Sequence, residues 1–235
     1  MLTGRRTMRM SRAALAGGLL AVALSQIPAR VIWAEEEVVV ANFLQTTQEV
    51  PPGWKLSVHE GEADLALVPE GDGQALKLRS RLSSFTLARA VDIDLRKTPY
   101  LEWEWKVTEL PKGGDVRRRA TDDQAAQLIV LFSWAPFRQE AIVYLWDSTA
   151  PEGTALQIPP PPLYPFLNAQ GVVVRSAETQ TGEWIAETRD VAADYRRLFG
   201  KEPERVLGIG LQINSQHTRS QAEAYWRSVK FRPQR

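Results

Sequence analysis

The chain has no cysteine, and this absence excludes several kinds of chemistry at once. Disulfide bonds, cysteine nucleophiles and a lipid anchor attached through an N-terminal cysteine all require a thiol. Histidine is nearly as scarce, because only His59 and His217 occur. A histidine-rich transition-metal site is therefore excluded by number, and we predict neither a bound metal nor another cofactor.

Sequence signatures of familiar catalytic sites and an excess of charge are also missing. The chain has no Gly-x-Ser-x-Gly elbow, no His-Glu-x-x-His helix and no phosphate-binding loop. Beyond residue 34, 24 basic residues stand against 28 acidic ones, which gives a net charge of about −4. A net negative charge does not favour the basic surface that binds nucleic acid or anionic lipid, so we predict no nucleic-acid partner.

The N-terminal segment has the layout of a secretory signal peptide. The basic stretch MLTGRRTMRMSR precedes an apolar run over residues 13–27, which is shorter than the ~20 residues that cross a bilayer. We predict a signal peptide over residues 1–34, cleaved between about residues 25 and 34, with an uncleaved anchor as the alternative. The mature protein would be periplasmic or secreted, with no membrane insertion after cleavage. Nothing in the sequence indicates an oligomeric state.

After the leader, alternating and β-branched patterns predict short strands in one domain over residues 35–235. Turn residues such as those of Pro51-Pro52-Gly53 separate them. Twelve strands in this length predict an all-β fold, a jelly-roll-like antiparallel β-sandwich. The predicted strands are Val38–Phe43, Trp54–Glu60, Leu65–Pro69, Ala75–Arg81, Phe85–Ile93, Leu101–Val107, Gln127–Trp134, Ala141–Asp147, Gly171–Ser176, Trp184–Val191, Val206–Asn214 and Ala222–Phe231.

One short helix is predicted near residues 191–199. Asp190 is a suitable N-cap and Gly200 a suitable C-terminal stop, and apolar residues recur between them at helical spacing. Asp194 would then face solvent. By contrast, residues 148–170 form a long connection with the run Pro159–Pro162, which is stiff and cannot join a sheet interior.

Several phrases occur together in one order along most of the chain. They include PPGWK at residues 51–55, TDD at 121–123, YLWD at 144–147, RDV at 189–191, and AY at 224–225 before VKF at 229–231. In this combination the sequence resembles a family of exported bacterial proteins catalogued only as a domain of unknown function. The resemblance implies a β-sandwich and no established activity.

Two positions depart from that family. Its members typically have two acids in a turn of the form Asp-Thr-Asp-Asn-Thr, where this chain has NSQHT at residues 214–218. Gln127 stands where the family has a basic residue. If the acids of the relatives gather around a hard cation, this chain has lost two ligands, so we expect no Ca²⁺ site here.

The strand LEWEWKV raises two functional questions. Trp103 and Trp105 fall on one side of it and Glu102 and Glu104 on the other. Strict alternation predicts the tryptophans to be core residues. The glutamates could be a catalytic pair of a glycan-active hydrolase or lyase, which needs carboxyl groups about 5–5.5 or 6.5–9.5 Å apart. They could equally lie on a solvated face, or on a concave face filled by arginines.

A binding site is the interpretation that we favour over catalysis. Exposed tryptophans can stack on sugar rings. Trp134 ends its predicted strand, and Trp146 precedes Asp147 at the end of another. Amide and hydroxyl groups suit the recognition of sugar hydroxyls. The predicted ligand-binding residues are Trp134, Trp146, Asp147, Asp123, Asn214, Gln216 and His217.

The sequence thus predicts an exported, non-catalytic protein that binds a glycan or another envelope ligand. Two alternatives stay open at this point. One is the glycan-active enzyme with Glu102 and Glu104. The other is a structural or assembly factor of the cell envelope, which would dock through a sheet edge or through Pro159–Pro165.

Overall fold

The computed structural model describes residues 36–71, 73–135, 138–160, 165–203 and 205–233, with the backbone alone at 133–135 and 138. The predicted signal peptide, and residues 161–164 of the proline segment, lie outside these ranges. The strands are β1 (Val38–Asn42), β2 (Trp54–Glu60), β3 (Asp64–Glu70), β4 (Gly73–Arg81), β5 (Ser84–Ile93), β6 (Tyr100–Glu109), β7 (Ala126–Ala135), β8 (Arg138–Trp146), β9 (Ala155–Ile158), β10 (Leu167–Arg175), β11 (Ile185–Asp190), β12 (Val206–Asn214) and β13 (Gln221–Arg232). One helix, α1 (Val191–Phe199), and two short 3₁₀ turns, Phe43–Gln45 and Arg119–Thr121, complete the elements described.

The strands form two sheets. The six-stranded sheet has the order β11-β6-β13-β4-β3, and β1 pairs with the second half of β13 beyond β4. The seven-stranded sheet has the order β2-β5-β12-β7-β8-β10-β9. All neighbours pair antiparallel except β8 and β10, which are parallel. The prediction of a jelly-roll-like β-sandwich is confirmed, with this one parallel pair as an addition.

All twelve predicted strands are present, and β9 is a further one inside the predicted long connection. It pairs with β10 through Ala169↔Ile158 and Gly171↔Leu156, and β10 itself begins at Leu167. Four residues directly before a proline run give little periodicity to detect. The connection therefore contains a hairpin that the sequence pattern did not indicate.

The core between the sheets is unusually rich in tryptophan. Trp103 and Trp105 are buried, as predicted, and their rings meet edge to face with centroids 5.4 Å apart. Trp105 also contacts Trp146 at 5.6 Å and Trp226 at 5.5 Å. Alternation along β6 thus directs both indoles inward and leaves Glu102 and the other polar side chains on the outer face.

Helix α1 is capped as the sequence predicts. The Asp190 carboxylate accepts a hydrogen bond from the Ala193 N–H at 2.8 Å, and Gly200 ends the helix with a φ of 69°. The expected exposure of Asp194 is wrong, because its side chain is buried and accepts hydrogen bonds from the Arg189 guanidinium at 2.8 and 2.9 Å. None of the described helices is long and apolar enough to span a membrane.

Candidate functional site

Glu102 and Glu104 lie together on the outer face of the six-stranded sheet. Glu102 forms ion pairs with Arg232 and, at 3.7 Å, with Lys230. Glu104 accepts a hydrogen bond from the Ser228 hydroxyl at 3.2 Å. Basic side chains therefore neutralise Glu102, whereas the described partner of Glu104 is a hydroxyl.

The two tryptophans predicted as stacking platforms have different outcomes. Trp146 is fully buried against Trp105, so its predicted exposure is wrong. It lies opposite Ala126 in the register of β8 and on the inward side of that strand, which places its ring in the core. Trp134 belongs to the backbone of β7, and its side chain lies outside the described part of the structure.

Asp123 joins the TDD segment to the turn after β12. Its carboxylate is fully buried and accepts hydrogen bonds from the backbone N–H groups of His217 at 3.3 Å and Thr218 at 2.6 Å. The Thr218 hydroxyl donates a third bond at 2.7 Å. The structure thus brings Asp123 beside Gln216 and His217, and the carboxylate holds the turn in place.

Asp147 has the same kind of role for a second loop. Its Oδ1 accepts from the N–H groups of Thr149 at 2.7 Å and Ala150 at 2.6 Å. Its Oδ2 accepts from the Val116 N–H at 2.9 Å and from Gln124 Nε2 at 3.4 Å. Because the carboxylate is fully buried and engaged by these donors, Asp147 connects loops and presents no free oxygen to solvent.

Asn214 connects this corner to the outer face of the seven-stranded sheet. Its amide oxygen accepts from the Gln124 N–H at 2.9 Å and from Gln127 Nε2 at 2.8 Å. Its Nδ2 donates to the Asp122 carbonyl at 2.8 Å. Gln127 is therefore a hydrogen-bond partner of Asn214, the first residue of the NSQHT turn.

From Gln127 a row of polar side chains runs across the sheet. Gln212 on β12 lies directly opposite Gln127 on β7 and Thr86 on β5. The Thr86 hydroxyl donates to Gln212 Oε1 at 2.8 Å, and His59 Nε2 on β2 lies 2.9 Å from the same hydroxyl. We call His59, Thr86, Gln212 and Gln127 the polar row.

The protonation of the polar row follows from its geometry. Thr86 has one hydroxyl proton, which it donates to Gln212, so His59 must donate its Nε2 proton to Thr86. Burial lowers the pKa of His59, which favours the neutral ring that this pattern allows. Within the described part of the chain, Gln212 Nε2 and Gln127 Oε1 have no hydrogen-bond partner. The row therefore retains a free donor and a free acceptor.

Small residues form the floor next to the polar row. The next pairs along β12 are Gly210 with Ala88 and Ile129, then Gly208 with Ala90 and Leu131. A Cβ at Gly210 would lie 3.3 Å from Thr86 Cγ2 and 3.4 Å from Ile129 Cβ, so a side chain there would push on the row. The face thus combines hydrogen-bonding groups with a flat, mostly aliphatic surface.

The exposed corner at the end of the row contains Asp122 and His217. Burial raises the pKa of Asp122, although the Gln124 amide donates a hydrogen bond to the carboxylate at 3.1 Å. His217 Nδ1 lies 3.1 Å from the Asp122 carbonyl and 3.4 Å from Asp123 Oδ1. No group of three His, Asp or Glu side chains among the described residues is placed to hold a metal ion.

A separate cleft of about 420 Å³ lies between β10 and β11. It is lined by three arginines that already have acidic partners. Arg175 pairs with Glu187 at 2.6 Å, while Arg189 and Arg197 pair with Asp194 at 2.8 and 3.0 Å. This charge balance gives the cleft no evident preference for an anion, so the polar row is the better candidate site.

The sequence does not predict the polar row, but it does predict the corner next to it. Asn214, Gln216, His217 and Asp123 were predicted together and do lie together. Thr86, Gln212 and His59 are ordinary residues on strands far apart in sequence. These residues could have been predicted only from the fact that their side chains point outward from neighbouring strands, and the sequence does not show which strands are neighbours.

The chain matches one known family and no curated protein. A family described as "Protein of unknown function (DUF3047)" matches residues 52–230. No curated protein matches the chain.

Solved structures of similar fold include two carbohydrate-binding modules and a xyloglucanase domain. The family 11 carbohydrate-binding module of the cellulase Lic26A-Cel5E of Clostridium thermocellum is 9% identical, with 86% of this chain and 96% of that one covered and a TM-score of 0.48. The xyloglucanase domain of NopAA from Sinorhizobium fredii, solved with cellobiose, is 10% identical over 77% and 93%, with a TM-score of 0.48. The family 30 module of the C. thermocellum cellulase Cel9D-Cel44B is 11% identical over 85% and 98%, with a TM-score of 0.46.

Proposed function

Because the chain belongs to the DUF3047 family, whose function is unknown, we propose a function from the geometry: a non-catalytic module that binds a glycan on the outer face of its seven-stranded sheet. The supporting observation is the polar row. Amide, hydroxyl and imidazole groups line up across four adjacent strands, next to a floor of small and aliphatic residues.

This arrangement suits a neutral, hydroxyl-rich ligand. Amides both donate and accept, as sugar hydroxyls do, and the free Gln212 Nε2 and Gln127 Oε1 supply one of each. The apolar face of a sugar ring can lie on the floor at Gly210 and Ala88. His217 and Gln216 extend the polar surface at the corner, where His217 is exposed.

Binding without catalysis is supported by the state of the carboxylates. Glu102 is ion-paired on the other sheet. The carboxylates whose charges act on Asp122 are those of Asp123 and Asp147, and both are engaged by the hydrogen bonds that hold loops. We expect purified protein to bind a polysaccharide without releasing reducing ends. Release of reducing sugar that stops in a Glu102→Gln, Glu104→Gln double variant would replace this proposal by the enzymatic alternative.

The binding test compares one substitution at two places. Gln212→Leu removes a ligand donor and leaves the Thr86 hydroxyl without its acceptor, while Gln157→Leu makes the same change at an exposed position of β9. A lost hydrogen bond is worth about 0.5–1.5 kcal/mol, so the affinity for a neutral polysaccharide should fall up to about tenfold for Gln212→Leu. Titration calorimetry measures it. Equal affinities of the two variants would contradict the assignment of the site.

Export to the periplasm or outside the cell is part of the same proposal, because an envelope or extracellular glycan is met there. Mass spectrometry of the protein from cell fractions should show a chain that starts between residues 26 and 35. An uncleaved chain in the cytoplasmic fraction would contradict this part and leave the binding site untouched.

A further inference from the structure

A second cluster lies on the outer face of the other sheet, at the end of β11. Trp184, just before that strand, stands over Lys106 of β6, whose Nζ lies 5.1 Å from the indole centroid. The same Nζ lies 4.6 Å from the ring centroid of Tyr225 on β13. Lys106 is nearly buried between the two rings, which themselves remain partly exposed. Cation–π contacts of this kind fix the aromatic planes on the sheet surface.

Arg227 completes the cluster because of a bulge in β13. The register between β13 and β6 shifts between Trp226 and Ser228, and the extra residue is Arg227. A bulge redirects a side chain, and here the guanidinium carbon lies 4.0 Å from the Trp184 ring centroid. Arg227 Nε is buried with no hydrogen-bond partner, and the guanidinium forms no ion pair within the described ranges. The terminal NH₂ groups of Arg227 form no hydrogen bond within these ranges either and are not buried, so they are its unused donors.

The cluster already holds one carboxylate. Glu70 Oε1 accepts from Lys106 Nζ at 2.5 Å and from Trp184 Nε1 at 3.1 Å. The hydrogen bond from Lys106 lowers the pKa of Glu70, with Arg227 adding to the effect. Among the described residues, Lys106 has Glu70 as its ion-pair partner, and Arg227 has no ion-pair partner.

Glu70 reaches this place from the far side of the sheet. It ends β3, at the edge opposite β11. In a flat sheet, four spacings of about 4.8 Å would separate these edges by roughly 19 Å. The hydrogen bonds to Lys106 and Trp184 therefore bring the end of the β3–β4 hairpin towards β6 and β11, so that the aromatic rings, the cations and the carboxylate meet on the outer face.

We propose that Arg227, with Lys106, Trp184 and Tyr225, forms a second binding site that takes the carboxylate of an acidic sugar, a uronic acid within a polysaccharide. The guanidinium offers paired donors that fit a carboxylate, and the partly exposed rings offer surfaces for the sugar. Glu70 demonstrates the carboxylate chemistry of the cluster. This site lies on the other sheet from the polar row and does not depend on it.

The test uses an oligogalacturonate and its fully methyl-esterified form, which lacks the negative charges and carries one more methyl group on each sugar. Calorimetry is run on wild type, Arg227→Gln and Arg81→Gln. Arg81 is an exposed arginine of β4 with no ion pair among the described residues, so its variant loses the same charge. We expect the oligogalacturonate to bind wild type and Arg81→Gln alike, and to bind Arg227→Gln at least tenfold more weakly. The methyl ester should bind wild type at least tenfold more weakly than the acid.

Each other result overturns the inference. No binding of the oligogalacturonate, equal binding of its ester, or equal losses in both variants would remove the site. Equal affinity for dextran sulfate would show a general anion surface. The Gln212→Leu variant distinguishes the two proposals. It should bind the oligogalacturonate as wild type does, and a loss of oligogalacturonate binding in this variant would show that no second site exists. Circular dichroism and melting temperature confirm that each variant is folded.

Discussion

Removing the Asp147 carboxylate should destabilise the protein strongly, because this side chain holds two loops and does not contact solvent. In Asp147→Ala the N–H groups of Val116, Thr149 and Ala150 lose their acceptor. Thr149 is exposed, so water can replace the carboxylate there. Val116 and Ala150 are buried and would keep unsatisfied donors.

The magnitude follows from those two buried donors. An unsatisfied buried N–H costs about 1–3 kcal/mol, so Asp147→Ala should lower the free energy of unfolding by roughly 2–6 kcal/mol. This is a large part of the ~5–15 kcal/mol of an ordinary domain. Asp147→Asn keeps one oxygen for Thr149 and Ala150 but turns an NH₂ group towards Val116, and it should cost about 1.5–3 kcal/mol.

Urea unfolding followed by tryptophan fluorescence measures these differences, with the m-value as a check that the transition is unchanged. Asp92→Asn is the control, since the Asp92 side chain is 72% exposed and its pair with Arg205 is worth about 0–1 kcal/mol. The loss in the free energy of unfolding should be largest for Asp147→Ala, smaller for Asp147→Asn and smallest for the control. If Asp147→Ala stays within 1 kcal/mol of wild type, Asp147 is not structural and the assignment of roles at this corner fails.

Two further predictions concern the corner and the core. Burial raises the pKa of Asp122 above its ordinary 3.8, so the folded state holds this proton more tightly and stability falls as pH rises through that window. Asp122→Asn should therefore be more stable than wild type at pH 7, with the difference vanishing below pH 3.8; a variant less stable at pH 7 in urea titrations would contradict this. Trp105→Ala should cost about 3–5 kcal/mol in the same assay, because it empties the centre of the tryptophan core, and Trp105→Phe should recover part of the loss.

The fold could be predicted from the sequence because local patterns report it directly. The alternation of LEWEWKV gave the inward side of β6, and Asp190 and Gly200 gave both ends of α1. Trp146 shows the limit of this reasoning. A position at the end of a strand suggests exposure, yet the parity of β8 and the contact with Trp105 place the ring in the core.

The candidate site was predictable only in its two short segments TDD and NSQHT, at residues 121–123 and 214–218. The NSQHT turn, which begins at Asn214, and its contact residue Asp123 follow from composition and resemblance. The polar row and the cluster around Arg227 depend on which strands are neighbours and on a bulge, and both are set by the packing of the whole sandwich. The burial of Asp194 likewise depends on Arg189, which arrives from β11.

The most direct test of the central claim maps a bound glycan onto the side-chain amides by NMR. During titration with a neutral oligosaccharide, the NH₂ resonances of Gln212, Gln127 and Asn214 should show the largest shifts, while those of Gln157 and Gln74 stay in place. The largest shifts at Gln157, Gln74 or the other sheet, or no shifts at saturating ligand, would contradict a glycan site on the polar row.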